Sequence, residues 1–309
     1  MILINNDFKR IVQKNTYVAL GSFDGIHKGH LALINRSIEL AKENNALSMV
    51  YTFKNHPRTL INKGNAPKLI MTLDEKIKTL ENLGIDLSAF VEFNKEFMKL
   101  EPEEFINNLV EDYNVKGIIV GFNYRFGHKN KGDVELLKKI TDLKGIELYI
   151  IEPFTYKDEV VSSTRIRKSL LSGELKDATK MLDRYFDLQG EVVGGKRIGR
   201  TINFPTANMK IDDRVILPKI GVYYTNVEID GEIYKGITSV GNNPTVNGKN
   251  ITVETHILNF DEDIYGKIIK LYFIEKIRDE KKFNSLDELK QQLIKDKNFA
   301  EKSDIKISL

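Results

Sequence analysis

The stretch "YVALGSFDGIHKGH", residues 17 to 30, runs from a short aliphatic segment into three glycines spaced four apart, with an aspartate and two histidines among them. The spacing of Leu31, Ile34, Ile38 and Ala41 that follows is helical. Strand, tight turn and helix in that order is the first half of a βαβ unit, and the rhythm continues outward. "LSMVYTF" (47 to 53), "AFVEF" (89 to 93), "GIIVG" (117 to 121) and "IELYII" (146 to 151) are short β-branched runs separated by helical patterns. Such alternation predicts an α/β fold with a parallel sheet covered by helices.

The intervening helices carry their own punctuation. Thr72 followed by Glu75 spells a capping box, and Leu73, Ile77, Leu80 and Leu83 form one apolar stripe that stops at Gly84. "VSSTRIRKSLLSGELKDATKML" (161 to 182) reads as a helix with Ile166, Leu170, Leu171 and Met181 facing inward. "MLDRYFDLQG" (181 to 190) is the expected linker, which divides the chain into domains 1–184 and 185–309. Beyond it the pattern becomes strand and turn, with Asp230-Gly231 and Asn247-Gly248 as hairpin signals; an all-β, closed antiparallel barrel is expected. A last helix starts at Ser285, capped reciprocally by Glu288, with Leu286, Leu289 and Leu293 on one face.

Composition excludes several kinds of chemistry. With 309 residues, 41% of them apolar, the chain exceeds one ordinary core. Cysteine is absent, which removes disulfides, thiolate metal sites and cysteine nucleophiles and fits a reducing compartment. No run approaches the ~20 apolar residues of a membrane span, and the start of the chain lacks a continuous apolar core, so a cytoplasmic protein is expected. The 47 basic and 44 acidic residues nearly balance, so neither nucleic acid nor a membrane surface is implied as a partner.

Function must therefore come from local motifs. In the opening turn, Gly21 and Gly25 let backbone approach a ligand, and the amides and dipole of a helix start attract anions. His27 and His30, at i and i+3, project from one side of that first turn and can donate to a phosphoryl group as its charge grows. A metal pair or a purely structural turn would use the same residues, although the chain offers only three other histidines and no HExxH arrangement. "GFNYRFG" (121 to 127) falls at the carboxyl end of a strand, the edge where open α/β sheets place ligands; there Asn123 can position by hydrogen bonds but cannot act as a base, and could equally be a turn residue.

Arg165, Arg167 and Lys168 occupy a first helical turn whose dipole disfavours cations, a conflict that a bound polyphosphate would reverse. "GEVVGGKR" (190 to 197) imitates a P-loop but puts Arg197 where the metal-binding hydroxyl belongs and lacks a following helix. A better phosphate site is "FPTAN" (204 to 208), where Pro205 fixes the backbone while Thr206 and Asn208 offer oxygens suited to a hard cation. In "VETHIL" (253 to 258) the strand period puts Val253, Thr255 and Ile257 on one face and Glu254 and His256 on the other. Glu254 is a candidate base or a solvated edge charge.

Taken together, these motifs resemble a known family. "GSFDGIHKGH" (21 to 30) is similar to the G-x-F-D-G-x-H-x-G-H motif of the HxGH nucleotidylyltransferases, and "TFKNHPR" (52 to 58), "GFNYRFG" and "SSTRIR" (162 to 167) follow in the order seen in the amino-terminal half of bacterial bifunctional riboflavin kinase/FAD synthetases. "GRTINFPTAN" (199 to 208), "GVY" (221 to 223), "SVGNNPT" (239 to 245), "VETHILNF" (253 to 260) and "RDEKKF" (278 to 283) resemble the riboflavin kinase module of the same family.

The resemblance implies a Rossmann-like FMN adenylyltransferase domain followed by a riboflavin kinase barrel with a terminal helix. It implies that riboflavin is phosphorylated by MgATP to FMN, and that FMN then takes AMP from a second ATP to give FAD and pyrophosphate. In the first domain His27 and His30 would stabilise the α-phosphate and Arg165 gather the leaving pyrophosphate, with Gly21, Phe23, Asp24, Gly29, Asn123, Ser163 and Thr164 around ATP and FMN. In the second, Gly199, Arg200, Pro205, Thr206, Asn208, Tyr223 and Asn242 would surround ATP and riboflavin, Thr206 and Asn208 would hold Mg²⁺, and Glu254 would serve the riboflavin 5′-hydroxyl. Asn203 departs from the glycine usual before "FPTAN". The expected partners are riboflavin, FMN and ATP, and the expected assembly is a monomer or weak homo-oligomer. A non-catalytic flavin or nucleotide-binding regulator, and an enzyme with one active half or another adenylyl acceptor, are the competing readings.

Overall fold

The computed structural model describes all residues except 6–11, 62–65, 196–203, 246–247 and 309, and it divides into two compact units, Met1–Ser163 and Thr164–Leu309. In chain order the first unit contains β1 (Ile2–Asn5), β2 (Thr16–Leu20), α1 (Lys28–Glu43), β3 (Leu47–Phe53), α2 (Arg58–Ile61), α3 (Leu73–Asn82), β4 (Leu87–Val91), α4 (Pro102–Tyr113), β5 (Val115–Gly121), α5 (Val134–Lys144) and β6 (Glu147–Ile151). A small hairpin, β7 (Thr155–Tyr156) and β8 (Glu159–Val160), leads to α6 (Ser163–Ser172), whose first residue closes this unit.

The six long strands form one parallel sheet in the order β1-β4-β3-β2-β5-β6. Alternate residues of each strand face opposite sides. Val18, Met49 and Ile118 pack under Ile106 and Leu109 of α4 and Leu137 and Ile140 of α5. Tyr17, Ala19, Val50 and Ile119 pack under Leu33, Ile34 and Leu40 of α1 and Leu80 of α3. Each fully buried aliphatic side chain contributes about 1.5–3 kcal/mol, so both faces must be covered for the sheet to persist. The chain moves outward one way from β2 to β3 and the other way to β5, so a crevice is expected at the carboxyl ends of β2 and β5.

The second unit holds the rest of α6, α7 (Leu175–Leu182), β9 (Phe186–Val193), β10 (Ala207–Lys210), β11 (Gly221–Ile229), β12 (Glu232–Thr245), β13 (Gly248–Ile257), β14 (Ile268–Arg278) and α8 (Leu286–Lys302). Its strands close into an antiparallel barrel ordered β10-β13-β12-β11-β14-β9. Inside, Tyr223 and Phe186 pack on Phe273, and the hydroxyls of Thr225, Thr238 and Thr255 satisfy one another at 2.8 and 2.9 Å. Both residues of the Asp230-Gly231 turn have positive φ, 50° and 85°, as a two-residue hairpin of this hand requires. Thr245 pairs with Gly248 across the next turn, while Asn247 lies outside the described residues.

Several expectations need correction. The stretch 181–190 is not a linker: α7 continues to Leu182 and β9 begins at Phe186, where Phe186, Leu188 and Gly190 alternate with polar residues. The units part between Ser163 and Thr164, ahead of the 184/185 boundary read from sequence rhythm, because α7 packs against β9 and β14. The segment 161–182 is two helices, broken at Gly173 with φ 85°; Ile166, Leu170 and Met181 are buried, while Leu171 is exposed. The capping box at Thr72 and Glu75 is present in full. At Ser285 the box is only half formed, since Glu288 accepts from the amide of Asn284 instead.

Leu286 is exposed, and the terminal helix is anchored further along, by Ala300 buried against Val222, Tyr224, Ile237 and Leu258 and by a buried carboxylate. Asp296, at 1% exposure, accepts from Nε and Nη2 of Arg278 at 2.8–3.1 Å and from the amide of Gln292 at 2.9 Å. Asp296→Ala should lower stability by about 2–4 kcal/mol, read as a lower denaturant midpoint, because it strands the Arg278 guanidinium at a nearly closed site.

Candidate active sites

The glycine-histidine turn starts where β2 ends and is set by bonds from distant segments. Asp24 is buried and its Oδ1 accepts from the Ile70 amide at 3.0 Å, while its backbone carbonyl accepts from Ser163 Oγ at 2.8 Å. The Ser22 carbonyl accepts from Thr52 Oγ1 at 3.0 Å and from Lys76 Nζ at 2.8 Å. Within the turn Gly25 has φ 84°, and Phe23 and Ile26, both buried, also hold positive φ of 48° and 37°. Each such non-glycine conformation costs about 1–3 kcal/mol and persists only where surrounding contacts enforce it.

That backbone delivers the two histidines together. His27 is the N-cap of α1, its Nδ1 accepting from the His30 amide at 3.4 Å, which puts the proton of a neutral His27 ring on Nε2. The rings of His27 and His30 stack with centroids 3.6 Å apart, and Phe23 meets His30 edge-on at 5.2 Å. Gly29 keeps the approach open, since a Cβ there would stand 3.2 Å from the His27 ring. His30 Nδ1 is closed off from solvent with no hydrogen-bond partner among the described residues. Burial, then the neighbouring His27 and the Lys76 charge, hold the His30 ring well below the usual histidine pKa, so it is neutral at pH 7.

The other motifs of this unit sit at the same sheet edge. Asn123 is exposed in the turn after β5, beside β2, with its Oδ1 3.8 Å from where a Cβ on Gly121 would lie. Asn55 and His56 follow β3 on the opposite flank of β2, with Asn55 locked to the backbone of Phe93 at 2.8 and 2.9 Å. Gly21 accommodates the Phe23 ring, and Phe23 itself belongs to the core. Ser163 uses its hydroxyl to hold Asp24, whereas Thr164 is exposed and Arg165 half-buried in the second unit.

In the barrel, Asn208 of β10 pairs directly across from Glu254 of β13. Thr206 Oγ1 lies 3.5 Å from Glu254 Oε2, so the hydroxyl, the amide and the carboxylate share one side of the strand pair. Gly195 abuts this group: a Cβ there would stand 2.2 Å from the Asn208 amide nitrogen. Val253, Thr255 and Ile257 are buried and Glu254 and His256 half-buried, as the strand period requires. Beside Thr206 opens a cavity of about 520 Å³, whose wall includes Pro205, Thr255, Phe260 and Tyr265. Tyr223 lies in the barrel core with its hydroxyl donating to the Lys219 carbonyl, and Asn242 is exposed on β12. Gly199, Arg200 and Asn203 fall outside the described residues.

Two contributors escaped the sequence reading. His256 Nδ1 lies 2.8 Å from the Pro205 carbonyl, and burial lowers its pKa, so a neutral ring donates there and braces the residue before Thr206. Lys76 is buried, and its only trace in the sequence is a cation set into the apolar stripe of α3, three residues after Leu73 and four before Leu80.

A family model described as FAD synthetase matches residues 9–165, and one described as riboflavin kinase matches residues 182–303. A bifunctional riboflavin kinase/FMN adenylyltransferase from Bacillus subtilis (strain 168) is 35% identical over 292 residues, 93% of this chain and 92% of that protein. The chain belongs to the bifunctional riboflavin kinase/FMN adenylyltransferase family. A member from Escherichia coli (strain K12) is 36% identical over 286 residues, 92% of this chain and 91% of the relative. A crystal structure described as a macrolide-efflux protein from Streptococcus pneumoniae superposes with a TM-score of 0.90 at 34% identity, covering 98% of this chain and 100% of that one. Among the described residues no helix is long and apolar enough to cross a membrane.

With both family modules present, the chain is a transferase of flavin cofactor biosynthesis, a riboflavin kinase and an FMN adenylyltransferase. The expected α/β domain and antiparallel barrel with its terminal helix are the folds that carry these modules.

Proposed function

We propose that each activity is carried by its own motif cluster, adenylylation by His27 and His30 and phosphorylation by Thr206, Asn208 and Glu254, with ATP as the donor in both steps. The observation that carries the reading is the stacked histidine pair on a helix N-terminus, where free amides and the helix dipole favour a phosphate.

In the adenylyl step an FMN phosphate oxygen attacks the α-phosphorus of ATP, the new P–O–P bond forms in line, and the bond to pyrophosphate breaks. His27 and His30 supply N–H donors to charge that grows on the α-phosphate, and the turn's amides add to that field. Arg165 takes the departing pyrophosphate in this scheme, an assignment that rests on its motif. Asn123 orients, since it neither gains nor loses a proton.

In the kinase step the riboflavin 5′-hydroxyl attacks the γ-phosphorus, ADP leaves, and Glu254 accepts the hydroxyl proton. The oxygen-only donors Thr206 and Asn208 beside ATP phosphates suit Mg²⁺, which prefers hard oxygens and keeps phosphate ligands. Bound there, the ion would neutralise charge on the transferring phosphates. The 520 Å³ cavity beside Thr206 has the size and aromatic walls for a nucleoside. A cysteine-free chain whose substrates are ATP and riboflavin fits a cytoplasmic enzyme.

Purified protein with riboflavin, ATP and Mg²⁺ should convert riboflavin to FMN and then to FAD, followed by chromatography of the flavins. FMN that accumulates without FAD would overturn the adenylyl assignment; riboflavin left unchanged, with FMN also refused, would favour a binding protein.

A further inference from the structure

Lys76 is a buried charge of the adenylyl unit that its proposed chemistry leaves unused. Lysine is among the residues least often buried, because its ammonium loses hydration, and here it is 8% exposed at the start of α3. Its Nζ donates to the Ser22 carbonyl at 2.8 Å, in the turn that precedes His27. It also lines a small cavity with Ser22, Asp24, Lys54 and His56. A methionine of similar shape would fill this position without a buried ammonium, but it would leave the buried Asp24 without that neighbouring charge. Burying the ammonium is costly to the fold, and its location points to the turn as the beneficiary.

We propose that Lys76 is a positioning residue for adenylyl transfer: by fixing the Ser22 carbonyl it holds the left-handed turn that presents His27 and His30 to the α-phosphate. The inference rests on the adenylyl role proposed for those histidines. Three observations make it specific. The Ser22 carbonyl is held from two elements, by Thr52 on β3 and by Lys76 on α3, so it is a fixed point and not a free loop carbonyl. The residues immediately after it, Phe23 and Ile26 as well as Gly25, all need φ values that an unconstrained chain would relax. The charged and titratable groups facing Lys76 are Asp24 in the turn, His30 on α1, and Lys54 and His56 from the loop after β3. Of these Asp24 favours the ammonium, and the ammonium in turn disfavours a proton on His30.

Burial pulls the Lys76 pKa down to about 8, with Asp24 opposing the shift. The ammonium is present below that pH and is lost as pH rises through it. FMN adenylylation by the full chain should therefore decline above about pH 8 through loss of this donor.

The test uses Lys76→Met and Lys76→Arg in the full chain, with riboflavin phosphorylation as the internal control. Lys76→Met should remain folded at the assay temperature, phosphorylate riboflavin normally, and lose about a hundredfold in kcat for FMN adenylylation with KM for FMN and ATP nearly unchanged. Lys76→Arg, which cannot deprotonate in this range, should keep most activity at pH 7 and lose the decline above about pH 8. Normal FAD synthesis by Lys76→Met would overturn the proposal. So would an unaltered alkaline decline in Lys76→Arg, a readout that stands even if the methionine variant misfolds. A wild-type chain that makes no FAD would instead remove the adenylyl reading beneath it.

Discussion

His30→Ala should lower FMN adenylylation about a hundredfold to a thousandfold while riboflavin phosphorylation stays within about twofold of the wild type. The size follows from what the ring is positioned to do. It stacks on His27 at 3.6 Å on the first turn of α1, so its removal deletes one donor and also the surface against which the other is oriented. A donor aimed in advance at developing charge matters most in a closed site, from which substrate has displaced the water. The fold should survive. The His30 amide that bonds to His27 Nδ1 is retained in alanine, and the deleted atom is one whose hydrogen bonding the protein alone does not satisfy. Steady-state rates for both reactions on one preparation decide the matter. Equal loss of both activities in a folded variant would mean that the histidines are not specific to the adenylyl step.

Glu254→Gln should act on the other half, slowing riboflavin phosphorylation by about a hundredfold to ten-thousandfold, with FAD formation from supplied FMN unchanged. The substitution is nearly isosteric. Glutamine can still meet the Thr206 hydroxyl and still lies across from Asn208 on the paired strand, so the oxygen group that would hold a metal keeps its frame. What it cannot do is take a proton from the 5′-hydroxyl. The loss should fall on kcat more than on KM for riboflavin, as expected for an interaction needed in the transition state. A kinase rate close to that of the wild type would remove Glu254 from the base role.

The sequence made the strand-turn-helix of residues 17 to 43 legible because three local signals agree there: β-branched residues, glycines at a turn, and helical apolar spacing. The same agreement holds at Thr72 and Glu75 and at Asp230-Gly231, where the chemistry of a cap or a hairpin is written in adjacent residues. Reading failed where an outcome depends on distant packing. Gly173 ends a helix whose periodicity would have continued through it, and within α6 the buried face takes Leu170 but not Leu171. β1 has only four residues and pairs solely with β4, so no alternation could announce it. His27 as an N-cap, Lys76 on the Ser22 carbonyl and His256 on Pro205 are contacts of side chains with backbone that period and composition do not encode. Tyr223 shows the converse: a motif residue expected near substrate has its ring in the barrel core, because its strand position faces Phe273.

The bond from Ser163 Oγ to the Asp24 carbonyl spans 139 residues and has a temporal meaning. A ribosome makes the histidine turn before the segments that brace it, which emerge afterwards: Thr52, Ile70, Lys76 and finally Ser163. At about 5–20 residues per second, the nascent chain carries an unbraced turn for on the order of ten seconds. During that interval its left-handed residues are free to relax, so the adenylyl turn is translated well ahead of its braces and matures only when the last residue of its unit has been released.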